Sequence, residues 1–170
     1  MVFSANQKKA LSIIPHITGA LSVFGSCSIL YDVWKDRSSK LRRPYYRILL
    51  GMSIFDVMAS TSIGLSTWPI PYGTEGVYAA IGTTATCTAQ GFFNQLMLIS
   101  PFYNLMLAGY YLLLGREKPM SEEEIGMRYE KYMHAFAILP GTSVALSGLP
   151  LTLYNSANCK CRYRGDVLCV

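Results

Sequence analysis

Between Ile48 and Gly115 the sequence has no lysine and no arginine, and its acids there are Asp56 and Glu75 alone. Charge of any kind is scarce, at 15% of a 170-residue chain that is 51% hydrophobic. Those averages lie between a soluble domain and a transporter, so their distribution along the chain decides the class. The net charge of +5 does not build a basic face. Its residues sit in loops between apolar runs, which argues against a nucleic-acid partner. No nucleophile–base pair, no His-Glu-x-x-His and no glycine-rich phosphate loop occurs, so no enzyme is expected. Cysteine is sparse until the tail. Cys159-x-Cys161 has one intervening residue and no nearby histidine, which excludes zinc or thioredoxin-like chemistry as its reading. Neither a metal nor another cofactor is expected. The start of the chain shows no signal-peptide cleavage pattern, and there is no internal repeat or low-complexity segment.

What the sequence does have is long apolar runs. They lie at about 10–34, 46–68, 84–114 and 132–154, and each is long enough to cross a hydrocarbon core of about 30 Å as a helix. The expected fold is an all-α integral membrane protein with four transmembrane helices in one domain, 1–170, and a cysteine-containing tail at 155–170. Six Lys or Arg fall in residues 35–47 and four in 115–131, whereas the other segments outside the spans hold five. By the positive-inside rule the two basic loops are cytoplasmic, and the start and tail are extracellular or lumenal. His16 and His134 then fall at opposite sides of the bilayer, which argues against a haem held between them. Gly19, Ala20, Ser22, Gly25 and Ser26 provide small residues for close helix contact. Cys27 reads as a free, buried thiol. Pro101 should kink the third span, and Ser121 with Glu124 forms a helix-start signature in the second basic loop.

The third span is unusually polar, with Gln90, Asn94, Gln95 and Asn104. Gln90 and Asn94 share a face, so this helix should lie inside a bundle. Asp56 is the one acid in the second span, and intramembrane acids face a bundle interior or a wet cavity and mark function. Its simplest role is structural, an acid satisfied by nearby serines and asparagines. Polar groups in hydrocarbon each need a partner. Four helices are too few to ring the third, so a polar groove along Gln90, Asn94 and Asn104 is expected, filled by complementary helices or by self-association.

Leu41, Arg42, Pro44, Leu49, Leu50 and Asp56 follow the order Leu-Arg-x-Pro, Leu-Leu, Asp. In this the chain resembles the first inner loop and second helix of rhodopsin-like G-protein-coupled receptors, in a divergent form akin to the slime-mould cyclic AMP receptor-like group. The resemblance implies the first four helices of a seven-helix bundle, as a fragment or truncated form, that receives an extracellular ligand and signals to a G protein. It implies that Asp56 serves an ion site or switch, whose usual partners are an Asn of the first helix and a Ser of the third. The matching places here read Gly25-Ser26 and Pro101. It also implies that Cys87 is tied to the loop after the fourth helix, at Cys161 or its competitor Cys159, and that Gln90 and Asn94 face a ligand. Where the family carries Asp-Arg-Tyr, this chain reads Tyr110-Tyr111-Leu112-Leu113, and the family's fourth-helix tryptophan is absent. Two other classes stand beside it. A four-span structural protein of the tetraspanin or claudin kind should carry Trp-x-x-Trp or Cys-Cys-Gly loops, which are missing. A small channel or transporter subunit would be lined by Asp56, Gln90, Asn94 and Asn104.

Overall fold

The computed structural model describes residues 4–75, 77–116, 118–150, 154, 156–157 and 160–161. Helix α1 is Ala5–Lys35, and a one-turn helix α2, Arg37–Lys40, follows it. Next come α3, Pro44–Gly64, and α4, Thr84–Gln95. A 3₁₀ turn at Leu96–Leu98 leads directly into α5, Ile99–Leu114. The chain then forms a short α6, Glu122–Arg128, and α7, Glu130–Ser147. Strands β1, Ser156–Ala157, and β2, Lys160–Cys161, pair antiparallel.

Three helices are long and apolar enough to cross a membrane: Asn6–Lys35, Pro44–Gly64 and Thr84–Leu114. This is the pattern of a multi-pass membrane protein. Each helix boundary has a local cause. Helix α1 begins five residues before the expected span because Ser4 and Gln7 form a capping box. Helix α3 starts on Pro44, whose fixed φ suits the first helical position. It ends at Gly64, short of Trp68, because Leu65 and Ser66 turn the chain and Ser66 takes a left-handed φ of 49°. The third expected span is continuous but not uniform. Pro101 has no N–H for the carbonyl of Met97 and crowds it, and the helix tightens to 3₁₀ geometry over the residues just before.

The fourth run differs most from expectation. Helix α7 has 18 residues, opens on Glu130 and Lys131, and stops at Ser147 rather than reaching Tyr154. Pro150 disfavours helical backbone at Leu149, so the chain turns at Gly148. Ser121 accepts a hydrogen bond from the amide of Glu124 at 3.2 Å and starts α6, as its signature suggests.

Helix α1 packs on α3, α3 on α5, and α7 on both α4 and α5. The core joins Ile48 of α3, Ile99, Tyr103 and Tyr110 of α5, Ile125 of α6, and Met133, Ala137 and Ala145 of α7. Because α1 has one neighbour among the long helices, its outer side is apolar and open, with Leu21 67% and Phe24 75% exposed. Cys27 is on that exposed side, not buried as expected.

The α1–α3 contact is close enough to need glycine. A Cβ on Gly19 would lie 2.5 Å from the Gly64 Cα. Hydrogen bonds Ser22–Ser60 (2.7 Å) and Ser12–Thr67 (2.8 Å) flank it. Gly19→Leu is expected to force the two helices apart and destabilise the fold by about 1–3 kcal/mol. Thermal unfolding in detergent checks this, and an unchanged midpoint would show that the contact is not intimate.

Candidate functional site

Polar side chains line the α3–α5 side of the bundle from the turn between α3 and α4 to the basic loops. Near that turn, Gln90 of α4 is 7% exposed. Its amide donates to the carbonyls of Ser62 (3.0 Å) and Ser66 (2.8 Å), while Ser62 Oγ donates back to the Gln90 carbonyl at 3.0 Å. The last carbonyls of a helix have no partner within it, and Gln90 supplies one to the end of α3. The expected groove along Gln90, Asn94 and Asn104 therefore does not form. Gln90 is consumed within the fold and Asn94 is half-buried, while Gln95 and Asn104 are exposed.

Cys87 is buried at 1% exposure, one turn before Gln90. Cys159 and the side chain of Cys161 lie outside the described residues, and so does the expected pairing. Strand β2 nevertheless packs against α4. Between α3 and α4 an open groove of about 700 Å³ is lined by Val57, Met58, Thr61, Leu65 and Phe93, among others. Its hydroxyls are already bonded: Thr61 donates to the Val57 carbonyl and Thr86 to the Pro69 carbonyl.

At mid-helix, Ser100 Oγ donates to Asp56 Oδ1. The acid is half-buried, and its partner stands immediately before Pro101, the residue that the resemblance aligns there. Two buried acceptors flank this pair along the chain without a hydrogen-bond partner, Ser53 Oγ on α3 and Asn94 Oδ1 on α4. Ser53 is one turn from Asp56, on the same side of α3. Asp56, Ser100 and Ser53 thus bring an acid and two hydroxyls to one side of α3, oxygen donors of the kind that suit water or a hard cation. No group of three or more His, Cys, Asp or Glu suited to a metal occurs among the described residues.

Where α3 and α7 begin, beside the basic loops, the side chains form a set that sequence reasoning did not assemble. Arg47 of α3 grips Glu130 of α7 through two nitrogens, Nε to Oε1 at 2.5 Å and Nη2 to Oε2, and its Nη1 donates to the Leu41 carbonyl. His134, one turn along α7, has Nε2 3.7 Å from Glu130 Oε1. Its Nδ1 is 2.9 Å from the Tyr103 hydroxyl. Tyr103 is 1% exposed, and a Cβ on Gly51 would fall 2.6 Å from its Oη, so glycine is what lets the phenol reach the imidazole. Lys40 pairs with Asp32 at 2.7 Å nearby, and that hydrogen bond holds the Lys40 ammonium above its usual range.

No protein-family model, curated protein or solved structure matches the chain. The site must be judged on its geometry. His16 and His134 do not meet. His16 donates to the Gly64 carbonyl and packs on Trp68 at 4.7 Å, at the C-terminal end of α3, while His134 belongs to the cluster with Glu130 and Tyr103. The one sequence signal for that cluster was the placement of Arg47 and Glu130 at the boundary between a basic loop and an apolar helix.

Proposed function

We propose that this chain forms the first four helices of a divergent seven-helix, receptor-like signalling protein. Asp56 acts as its central polar switch, and α7 lies in its fourth membrane segment. The observation that carries this reading is the Asp56–Ser100 hydrogen bond between α3 and α5. It sits on the helix that starts at Pro44, directly after Leu41 and Arg42, and the unpartnered buried hydroxyl of Ser53 lies one turn away on that helix. An acid inside an apolar span is costly unless it serves a purpose. In a receptor the purpose is to bind a small cation or water in one state and release it in another. A bundle of this kind needs three further helices, supplied by the same polypeptide or by a partner, and it faces an extracellular ligand and an intracellular G protein. Gln90 contributes to the ligand side as a positioning group and Asn94 as an open acceptor.

The test is a thermal melt of the full chain in detergent, in sodium chloride and then in choline chloride at equal ionic strength. Sodium at ten times its Kd should stabilise the wild type by roughly 1.4 kcal/mol, and Asp56→Asn should abolish the difference. Equal midpoints in both salts for the wild type would remove the ion-switch role. Sodium flux through reconstituted vesicles would instead favour a channel subunit.

The same reading includes a disulfide from Cys87 to Cys161 that pins the outer loop over the bundle. It is supported by the packing of β2 on α4 and by Cys87 being engaged through its sulfur, in contrast to the free Cys27. Removing it with Cys161→Ser should cost about 2–4 kcal/mol. Peptide mapping without reduction should recover the Cys87–Cys161 pair. Recovery of Cys87 alkylated as a free thiol would end the proposal, and recovery with Cys159 would move the bond by two residues.

A further inference from the structure

The inner cluster joins three helices through one histidine. We propose that Arg47, Glu130, His134 and Tyr103 form an acid-released latch: neutral His134 ties α3, α5 and α7 together, and its protonation unties them.

Donor and acceptor roles are fixed by the neighbours. Glu130, on the same helix, faces Nε2, so the neutral imidazole keeps its hydrogen there and leaves Nδ1 to accept from the Tyr103 hydroxyl. Tyr103 has no other hydrogen-bond partner among the described residues, and its hydroxyl is pressed against α3 at Gly51. A second proton turns Nδ1 into a donor that faces a donor. The phenol must then swing its hydrogen toward packed backbone, and a buried donor without an acceptor is penalised.

The second effect acts on the other side of the ring. The charged groups around His134 are Glu130 of its own helix and Arg47 of α3, with the Tyr103 phenol on α5. Glu130 is already committed to Arg47 through both oxygens. An imidazolium 3.7 Å from Oε1 competes for that oxygen and adds a second cation beside the guanidinium. Both effects loosen the same junction. The latch is closed while His134 is neutral and open once its ring carries the second proton.

The experiment uses the full chain in nanodiscs of zwitterionic lipid. Amide hydrogen exchange is measured at about pH 8 and about pH 5 and corrected for the intrinsic pH dependence. Residues 129–137 of the wild type should lose protection about tenfold on acidification, while residues 20–30 of α1, which hold no histidine, stay unchanged. His134→Gln should remove the difference. Tyr103→Phe, which keeps the ring packing without the hydroxyl, should shrink it to less than about twofold and lower protection at both values. Wild type with no acid-dependent loss would overturn the latch. So would a full loss retained in His134→Gln, or an equal loss in α1, which would mean global unfolding. Because the readout needs neither sodium nor Asp56, its failure is separable from failure of the receptor reading.

Discussion

Glu130→Ala should lower the stability of the chain by about 2–3 kcal/mol, the largest effect expected from any single charge change. Removing one partner of a buried pair leaves the other charge uncompensated, which costs about 3–5 kcal/mol when burial is complete. Arg47 keeps 33% of its side chain exposed against 13% for Glu130, so water relieves part of that penalty. The Arg47→Met, Glu130→Leu double variant removes both charges from the apolar inner end of α3 and α7. It should recover most of the loss, because the pair itself repays little beyond its own desolvation. Denaturation in detergent, followed by tryptophan fluorescence, measures both. A double variant as unstable as Glu130→Ala would mean that the loss comes from packing and not from an orphaned charge.

Gln90→Leu is expected to cost about 2–4 kcal/mol, because it leaves the Ser62 and Ser66 carbonyls and the end of α3 without donors at a depth where water is scarce. Gln90→Glu should be as harmful, since a carboxylate would face those carbonyls with no hydrogen to give. The same denaturation assay reads both. Stability unchanged in Gln90→Leu would free Gln90 for direct contact with a ligand, the role its position on a polar helix first suggests. The geometry assigns it to cap the preceding helix.

Hydropathy was enough to find three of the spans, because a long apolar helix announces itself in any window. The fourth was less legible. Its first turn holds Glu130 and Lys131, His134 follows one turn later, and Pro150 lies just past its end, so the apolar run and the helix differ in extent. Asp56 stood out as a lone acid, and the resemblance aligns Pro101, which has no side-chain donor, where the structure supplies Ser100 one residue earlier. The reason is geometric: three residues of 3₁₀ helix rotate the chain about 20° more per residue than an α-helix does. Over Leu96–Leu98 this advances the face by about 60°, which brings Ser100, not Pro101, toward Asp56. The inner cluster was hidden by distance along the chain. Arg47 and Glu130 are 83 residues apart, and each alone reads as a loop charge. Gln90 and Asn94 were read as equals because they share a face. Only the turn after α3, which folds back over Gln90, separates the satisfied amide from the unsatisfied one.

The placement of every element described above depends on which end of the bundle faces the cytoplasm. Cysteine accessibility decides that question directly. In a background with Cys27, Cys159 and Cys169 replaced by serine and Cys87 and Cys161 left as the proposed pair, one further cysteine is placed at Ser38 in the first basic loop or at Thr74 in the turn between α3 and α4. Intact cells are then treated with a membrane-impermeant maleimide. Thr74→Cys should be labelled at once, and Ser38→Cys only after the membrane is opened. Labelling of Ser38→Cys from outside intact cells would invert the topology. It would place the Arg47–Glu130–His134 cluster at the outer surface and contradict the receptor-like assignment.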